Sequence, residues 1–368
     1  TEVVKIKMLF LMEGNKMKKV AILFGGKSTE YSVSLESAYS VLSHLDLHKF
    51  EVYMIGINQK GEWKHFEGDI SLIKDDKWDH EYLNPVTISL NPHQKCLLEI
   101  RNQKVEEVKV DAIFPILHGK NGEDGSVQGL IQITGIPLVG CDVLSSALCM
   151  DKYRAHELVK AHGIEVPGCV YLQHQQDYPN KKPDIMGLQL PVYVKPVKSG
   201  SSLGMCRLES FDHLDQAVFE AFQYDDCVLI EEEVKGFEVG CAVMGCKTLK
   251  TGRVDEIELS SGFFNFQEKY TLKTSQIHVP ARISSSLEFQ IQETAKEIYR
   301  ILGCQIFARV DMFLTPDHHI VFNEVNTIPG FTAHSRYPMM MEKNGLSFQT
   351  LLTQLIEMGI QHANQNTL

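Results

Sequence analysis

The sequence predicts an α/β (α+β) fold, with two or three domains in 368 residues. Three observations carry this. "VAILFGGKSTEYSVS" (20–34) is an apolar run, a glycine pair and polar residues opening a helix. Strand and helix patterns then alternate as far as about Gly140. Toward the other end, "IFARVDMFL" (306–314) and "IVFNEVN" (320–326) flank the turn-like "TPDHH", the pattern of a hairpin.

Val20–Phe24 predicts a buried strand and Gly25-Gly26 a tight turn. Ser28 or Thr29 suits a helix N-cap, and Leu35, Ala38, Leu42 and Leu45 recur at helical spacing. Gly26-Lys27-Ser28 shares its tripeptide with phosphate-binding P-loops. That loop needs a glycine where this chain has Ala21, and no Gly-x-Gly-x-x-Gly fingerprint follows the strand. Val52–Ile57 and Ala112–Leu117 predict further strands, Val127–Ile133 a helix and Pro137–Val139 a short strand. "KNGEDG" (120–125) reads as a glycine-rich polar loop.

From Cys141 to about Glu233 the pattern changes. Asp151–His162 predicts an amphipathic helix, Gln173–Lys182 a surface loop, and residues 190–208 a strand, a glycine-rich loop and a second strand. Asp212–Phe222 predicts a helix, and 227–234 a strand running into a connector. Beyond Lys235 come strands, a long loop around 260–278, a helix at about Ser285–Leu302, the hairpin, a closing helix at about Ser347–Met358 and a frayed tail. "TEVVKIKMLFLMEGNK" (1–16) reads as an upstream extension or expression remnant outside the fold.

With 43% hydrophobic and 23% charged residues, the composition is that of an ordinary globular protein. A net charge of −11 and the lack of a Lys/Arg-rich run point away from nucleic acid as a partner. No apolar stretch is long enough to span a bilayer, which points away from a membrane. Nine cysteines without a Cys-x-x-Cys pair suit reduced thiols in a cytoplasm rather than a zinc or redox motif.

Side chains alternate along a strand, so Arg309 and Asp311 share one face of the hairpin, opposite Ala308, Val310 and Met312. Glu324 and Asn326 likewise share a face, opposite Val321 and Val325. Folded together, Asp311, Glu324 and Asn326 offer the all-oxygen donor set that Mg²⁺ prefers alongside phosphates, the alternative being a solvated polar face. "KPVKSGSSLG" (195–204) is rich in N–H and hydroxyl donors and follows Lys195, as a loop closing over phosphates would be; a plain surface hairpin has the same composition. Glu30, His118, Lys152, Lys269 and Tyr270 carry no signal in isolation.

In order along the chain stand GG-x-S-x-E, LHG-x-x-GEDG, MDK, KP-x-x-x-GSS-x-G, EKY, ARVD, NEVNT-x-PG and HS. This series resembles the D-alanine–D-alanine ligase family from Met17 to about Ile356, and "GFFNFQEKY" and "HSRYP" are most similar to its VanG-type D-alanine–D-serine ligases. The resemblance implies an ATP-grasp fold with an N-terminal Rossmann-like pre-ATP-grasp domain, in three domains: 17–140 with the first D-alanine site, 141–233, and 234–368 with a lid at 260–278. The implied cofactors are ATP and two Mg²⁺, with Mn²⁺ as a substitute. The implied partners are D-alanine, D-serine and a second copy of the chain.

Carried over by resemblance, Glu30 holds the ammonium of the first D-alanine, with His118 nearby. Lys152, Lys195 and Lys269 contact ATP phosphates, covered by Ser201, Ser202 and their loop. Glu231 and Glu238 take adenine and ribose edges, and the backbone around Glu232, Glu233 and Val234 faces adenine, with Asn323 and Glu324 also at the nucleotide. Asp311, Glu324 and Asn326 hold the metals, and Arg309 with the Gly330 N–H stabilises the oxyanion. Tyr270 bonds Ser201 and Glu30, while Ser335 and Arg336 face the second substrate. Ligases that accept D-lactate have a different lid, and D-alanine-specific members usually have Tyr at the place of Phe264 and Leu at that of Arg336. The expected activity is D-alanyl-D-serine synthesis through a D-alanyl phosphate, for peptidoglycan precursors of vancomycin resistance. Competing readings are a housekeeping D-alanine–D-alanine ligase, another carboxylate–amine ligase, a non-catalytic nucleotide-binding regulator, and a nicotinamide oxidoreductase that the missing glycine fingerprint disfavours.

Overall fold

Strand β1 (Lys18–Gly25) lies inside a sheet of order β3–β2–β1–β7, with β2 (Phe50–Ile57), β3 (Trp63–Phe66) and β7 (Ala112–Leu117). The computed structural model describes residues 17–80, 82–200, 203–259, 275–332 and 334–365. β1 runs parallel to β2 and β7, and β3 is an antiparallel edge. Val20–Phe24 are fully buried because both faces of the sheet are covered. Val20, Ile22 and Phe24 pack with Leu35, Ala38 and Leu42 of α1 (Tyr31–His44). Ala21 and Leu23 pack with Val127 and Ile131 of α2 (Ser126–Thr134) and with a small sheet of β4 (Val86–Ile88), β5 (Cys96–Arg101) and β6 (Lys104–Lys109).

Gly25 and Gly26 turn the chain out of β1 with φ of +86° and +105°, values that only glycine adopts without strain. The α1 cap falls later than predicted. Glu30 occupies the N-cap, and Ser28 shapes the turn by accepting the Glu30 N–H at 3.1 Å.

A second sheet, β10–β9–β11–β8, comprises β8 (Cys169–Leu172), β9 (Val192–Pro196), β10 (Cys206–Leu208) and β11 (Val228–Glu232). Helices α5 (Tyr178–Met186) and α6 (Leu214–Ala221) cover one face, where Val192, Val194, Val228 and Ile230 are buried. The third sheet joins β12 (Phe237–Gly245), β13 (Leu249–Thr251), β14 (Asp255–Leu259), β15 (Ser275–His278), β16 (Phe307–Leu314) and β17 (Ile320–Asn326), in the order β15–β14–β12–β16–β17 with β13 on β12. α4 (Lys152–Ala161) and α7 (Ser285–Ile301) cover one of its faces, burying Val239, Val310, Met312, Phe322 and Val325. Each of these sheets turns part of its other face to a cavity.

The structure departs from the sequence reading in several places. Gln173–Lys182 is not a loop: a short 3₁₀ turn leads into α5, and Pro179 sits in the first turn, where a missing N–H costs no bond. α3 (Val143–Met150) and α8 (Arg336–Lys343) were not expected. The closing helix α9 (Phe348–Gln365) runs well past Met358, and residues 275–278 of the expected lid form β15. The hairpin register shifts between Asp311 and Met312, leaving Asn323 as an extra residue in β17. Phe322, rather than Val321, therefore joins Val325 in the core.

Candidate active site

Two cavities, of about 740 and 240 Å³, share Lys152, Ser199, Glu238 and Glu324 in their walls. The larger lies between the open faces of the second and third sheets. Alternation in β9 buries Val192 and Val194 and so turns Tyr193 and Lys195 to this cavity, facing Phe313 and Glu324 of the third sheet. The bulge puts Asn323 and Glu324 on the cavity together, and the Asn323 carbonyl is fixed by His156 Nε2 at 2.7 Å.

Lys195 Nζ lies 2.5 Å from Glu231 Oε2, with His156 Nδ1 at 3.4 Å from Oε1. Burial would raise the Glu231 carboxyl, but Lys195 and His156 outweigh it and hold it below the ordinary range. Burial pushes the His156 pKa down, against the pull of Glu231. The Glu231 carboxylate thus holds Lys195 in place. Glu232 and Glu233 are similarly engaged: Glu232 accepts the Gln189 N–H at 2.8 Å, and Glu233 takes Arg207 at 2.8 Å and Tyr193 OH at 2.9 Å. With those side chains occupied, the backbone of 232–234 is what this segment offers a ligand. Lys152, first residue of α4, donates to the Ser199 carbonyl at 2.9 Å.

The smaller cavity gathers Glu30, His118, Arg309, Asp311, Asn326, Gly330, Ser335 and Arg336. A Cβ at Gly119 or Gly200 would lie 2.3 or 2.4 Å from Glu30 Oε2, so both loops close directly on this carboxylate. His118 is buried against Ser37 Oγ at 3.2 Å, and burial lowers its pKa. Arg309 forks onto Asp311 with Nε–Oδ1 at 2.8 Å and Nη2–Oδ2 at 2.7 Å. Burial opposes the Arg309 charge, and Asp311 more than restores it. Ser335 Oγ accepts the Thr332 N–H at 2.9 Å, closing the turn that follows Gly330.

Asp311 pairs in register with Glu324, and Arg309 with Asn326, so the three oxygen donors sit together as expected. Asn326 Nδ2 reaches Asp311 Oδ2 at 2.9 Å. Among the described residues, no group of three or more His, Cys, Asp or Glu could hold a metal by itself. Two carboxylates and an amide fit a Mg²⁺ ion whose remaining ligands are phosphates and water.

Ser201, Ser202, Phe264, Lys269 and Tyr270 lie outside the described residues. Three residues that sequence reasoning passed over belong to the site: His156, Glu123 and Asp255. Glu123 Oε2 accepts the Gly119 N–H at 2.8 Å and Oε1 the Ile328 N–H at 3.2 Å. Its place in "GEDG" was the available signal. Asp255, fully buried, takes Arg336 through Nε–Oδ2 at 2.7 Å and Nη2–Oδ1 at 2.9 Å. Arg336 Nη1 also donates to Glu238 at 2.6 Å. Burial works against the Arg336 charge, yet Asp255, Asp311 and Glu238 raise its pKa well above the ordinary value.

The family model for the D-ala D-ala ligase N-terminus matches residues 19–141, and that for the D-ala D-ala ligase C-terminus matches 158–357. The crystal structure of VanG D-Ala:D-Ser ligase from Enterococcus faecalis superimposes with a TM-score of 0.87 at 52% identity, covering 94% of this chain and 100% of that one. Vancomycin B-type resistance protein VanB of Enterococcus faecalis is 44% identical over 94% of this chain and 99% of its own. A D-alanine–D-alanine ligase of Caldicellulosiruptor bescii is 39% identical, covering 94% of this chain and 96% of its own. Matched over nearly its whole length, the chain belongs to the D-alanine–D-alanine ligase family, ATP-dependent ligases with the ATP-grasp fold.

Proposed function

We propose that the chain joins D-alanine to D-serine at the expense of ATP, making a dipeptide for the peptidoglycan precursors of vancomycin resistance. One observation carries the choice of D-serine: the smaller cavity is walled by the Arg336 guanidinium, backed by Asp255 and Glu238. A site built to hydrogen-bond a hydroxyl rejects the analogue that lacks it far better than an apolar site rejects an added hydroxyl. The 52% identical VanG D-Ala:D-Ser ligase supports the same reading. In this proposal Arg336 donates to the D-serine side chain while Asp255 positions it. The sequence reading gave that role to Arg336 without a partner.

The larger cavity takes ATP, with Lys152 and Lys195 toward its phosphates. Glu30 holds the ammonium of the first D-alanine in the smaller cavity, beside the buried His118. The carboxylate of this D-alanine attacks the γ-phosphorus, giving D-alanyl phosphate and ADP. The amine of the second amino acid adds to the acyl carbonyl. Arg309 and the Gly330 N–H face the resulting oxyanion, and phosphate leaves as the peptide forms. Asp311, Glu324 and Asn326 would hold Mg²⁺, which supplies charge neutralisation between carboxylate and triphosphate. The acyl phosphate must be kept from water, the task we assign to the 260–278 segment with Lys269 and Tyr270. The three-domain division, a homodimer and a cytoplasmic setting complete the proposal.

Product identification tests it. The protein is given ATP, Mg²⁺, D-alanine and equimolar D-serine between pH 6 and 9, and the dipeptides are separated. Predominant D-alanyl-D-serine is expected. Predominant D-alanyl-D-alanine would make this a housekeeping ligase, a reading that the Caldicellulosiruptor bescii relative favours. No dipeptide from folded protein would leave a nucleotide-binding regulator.

A further inference from the structure

Gly240 stands inside β12, where glycine weakens a strand and no turn asks for it. Its register neighbours are Asp255 on β14 and Asp311 on β16, and Asp311 in turn pairs with Glu324 on β17. Asp255, Gly240, Asp311 and Glu324 therefore form one row across four strands, a row of carboxylates interrupted by a single glycine. The gap is filled from above. A Cβ at Gly240 would lie 2.4 Å from Arg336 Nη2, 2.6 Å from Asp255 Oδ1 and 3.0 Å from Asp311 Oδ1. The Gly240 N–H also donates to Asp255 Oδ1 at 2.7 Å, aiming that carboxylate at the guanidinium.

We propose that Gly240 is a specificity-determining position for the second amino acid: its missing side chain lets the Arg336 guanidinium lie against the sheet between Asp255 and Asp311. This rests on the D-serine reading above. A single methyl at Gly240 takes the space of Nη2, lifts the guanidinium off its seat and spoils its aim at a substrate hydroxyl. Gly240 touches no substrate in this account. It acts by positioning Arg336.

The test is a double-mutant cycle of Gly240→Ala with Arg336→Leu. The readout is the ratio of D-alanyl-D-serine to D-alanyl-D-alanine formed from equimolar amino acids. Gly240→Ala is expected to shift the ratio toward D-alanyl-D-alanine by roughly tenfold or more in the native background. In the Arg336→Leu background, where no guanidinium is left to displace, it is expected to change the ratio less than about twofold. If Gly240→Ala alone fails to fold, recovery of folding in the double variant supports the same clash. An unchanged ratio in the native background, an equal shift in both backgrounds, or unfolding in both overturns the proposal. Native protein that makes only D-alanyl-D-alanine removes the D-serine reading and this inference with it. A D-serine-selective enzyme without the expected epistasis removes only the role of Gly240.

Discussion

Glu123 reaches Ile328 across 205 residues of chain, accepting its backbone N–H at 3.2 Å. Its second oxygen takes Gly119, so one carboxyl ties the loop after His118 to the loop before Gly330. Each oxygen of the Glu123 carboxyl now accepts one N–H, and Glu123→Gln replaces one of those oxygens by an NH₂ that cannot accept, leaving one N–H without its partner. The expected result is a loss of about 10- to 100-fold in kcat/KM, with KM for the first D-alanine rising, as loops on both sides of the substrate shift. Steady-state phosphate release measures it, and native kinetics from the variant would count against the clamp.

The same residue gives a pH dependence. Burial, with Glu30 adding to it, pushes the Glu123 carboxyl up from 4.5 to about 8. A raised folded-state pKa means stability that is present below the unfolded pKa and lost as pH climbs through the folded one. Thermal unfolding of the ligand-free protein should show Tm falling from pH 6 to pH 9, with a shallower fall in Glu123→Gln. Parallel profiles for the two proteins would exclude Glu123 as the source.

Lys195 and Glu231 form a nearly buried pair. Removing one partner strands the other charge, so Lys195→Met should cost about 3–5 kcal/mol in urea unfolding. Adding Glu231→Leu should return part of that loss. Nucleotide affinity should stay low in both variants, which separates the stability of the pair from its use.

Gly25 lies at φ +86° with the Ile57 carbonyl 2.2 Å from where a Cβ would stand. Gly25→Ala should lose at least about 2 kcal/mol, combining left-handed strain with that collision. A thermal melt within a degree of the native protein would contradict the turn described here.

The 306–326 hairpin was legible because alternation is a local property. Arg309 and Asp311 declare their face through the apolar residues between them, and the register bears this out. The helix at Tyr178–Met186 was hidden because two prolines and several polar residues mimic a loop; Pro179 sits harmlessly in the first turn, while Pro183 stands inside the helix against the local rule. The Asp255–Arg336 pair joins residues 81 apart in sequence, and nothing near either residue names the other. Glu231 illustrates a third limit: it lines the larger cavity, and nothing near it in sequence shows that its carboxylate is already paired with Lys195 there. Sequence order reveals which groups a site contains more readily than which of them are already spoken for.

The extra residue at Asn323 works as a phase shift. Upstream of it, even-numbered Phe322 points to the core; downstream, even-numbered Glu324 and Asn326 point to the cavities. Drawing the bulge out into regular alternation, with Asn323 kept in the strand, would therefore act like a reading-frame error in three dimensions. To keep Phe322 packed, the strand would have to bury Glu324 and Asn326 and push Val325 into the cavity. To keep the oxygen donors in place, it would have to expel Phe322. The bulge that takes up this one residue lets the same strand be oil on one side and ligand on the other.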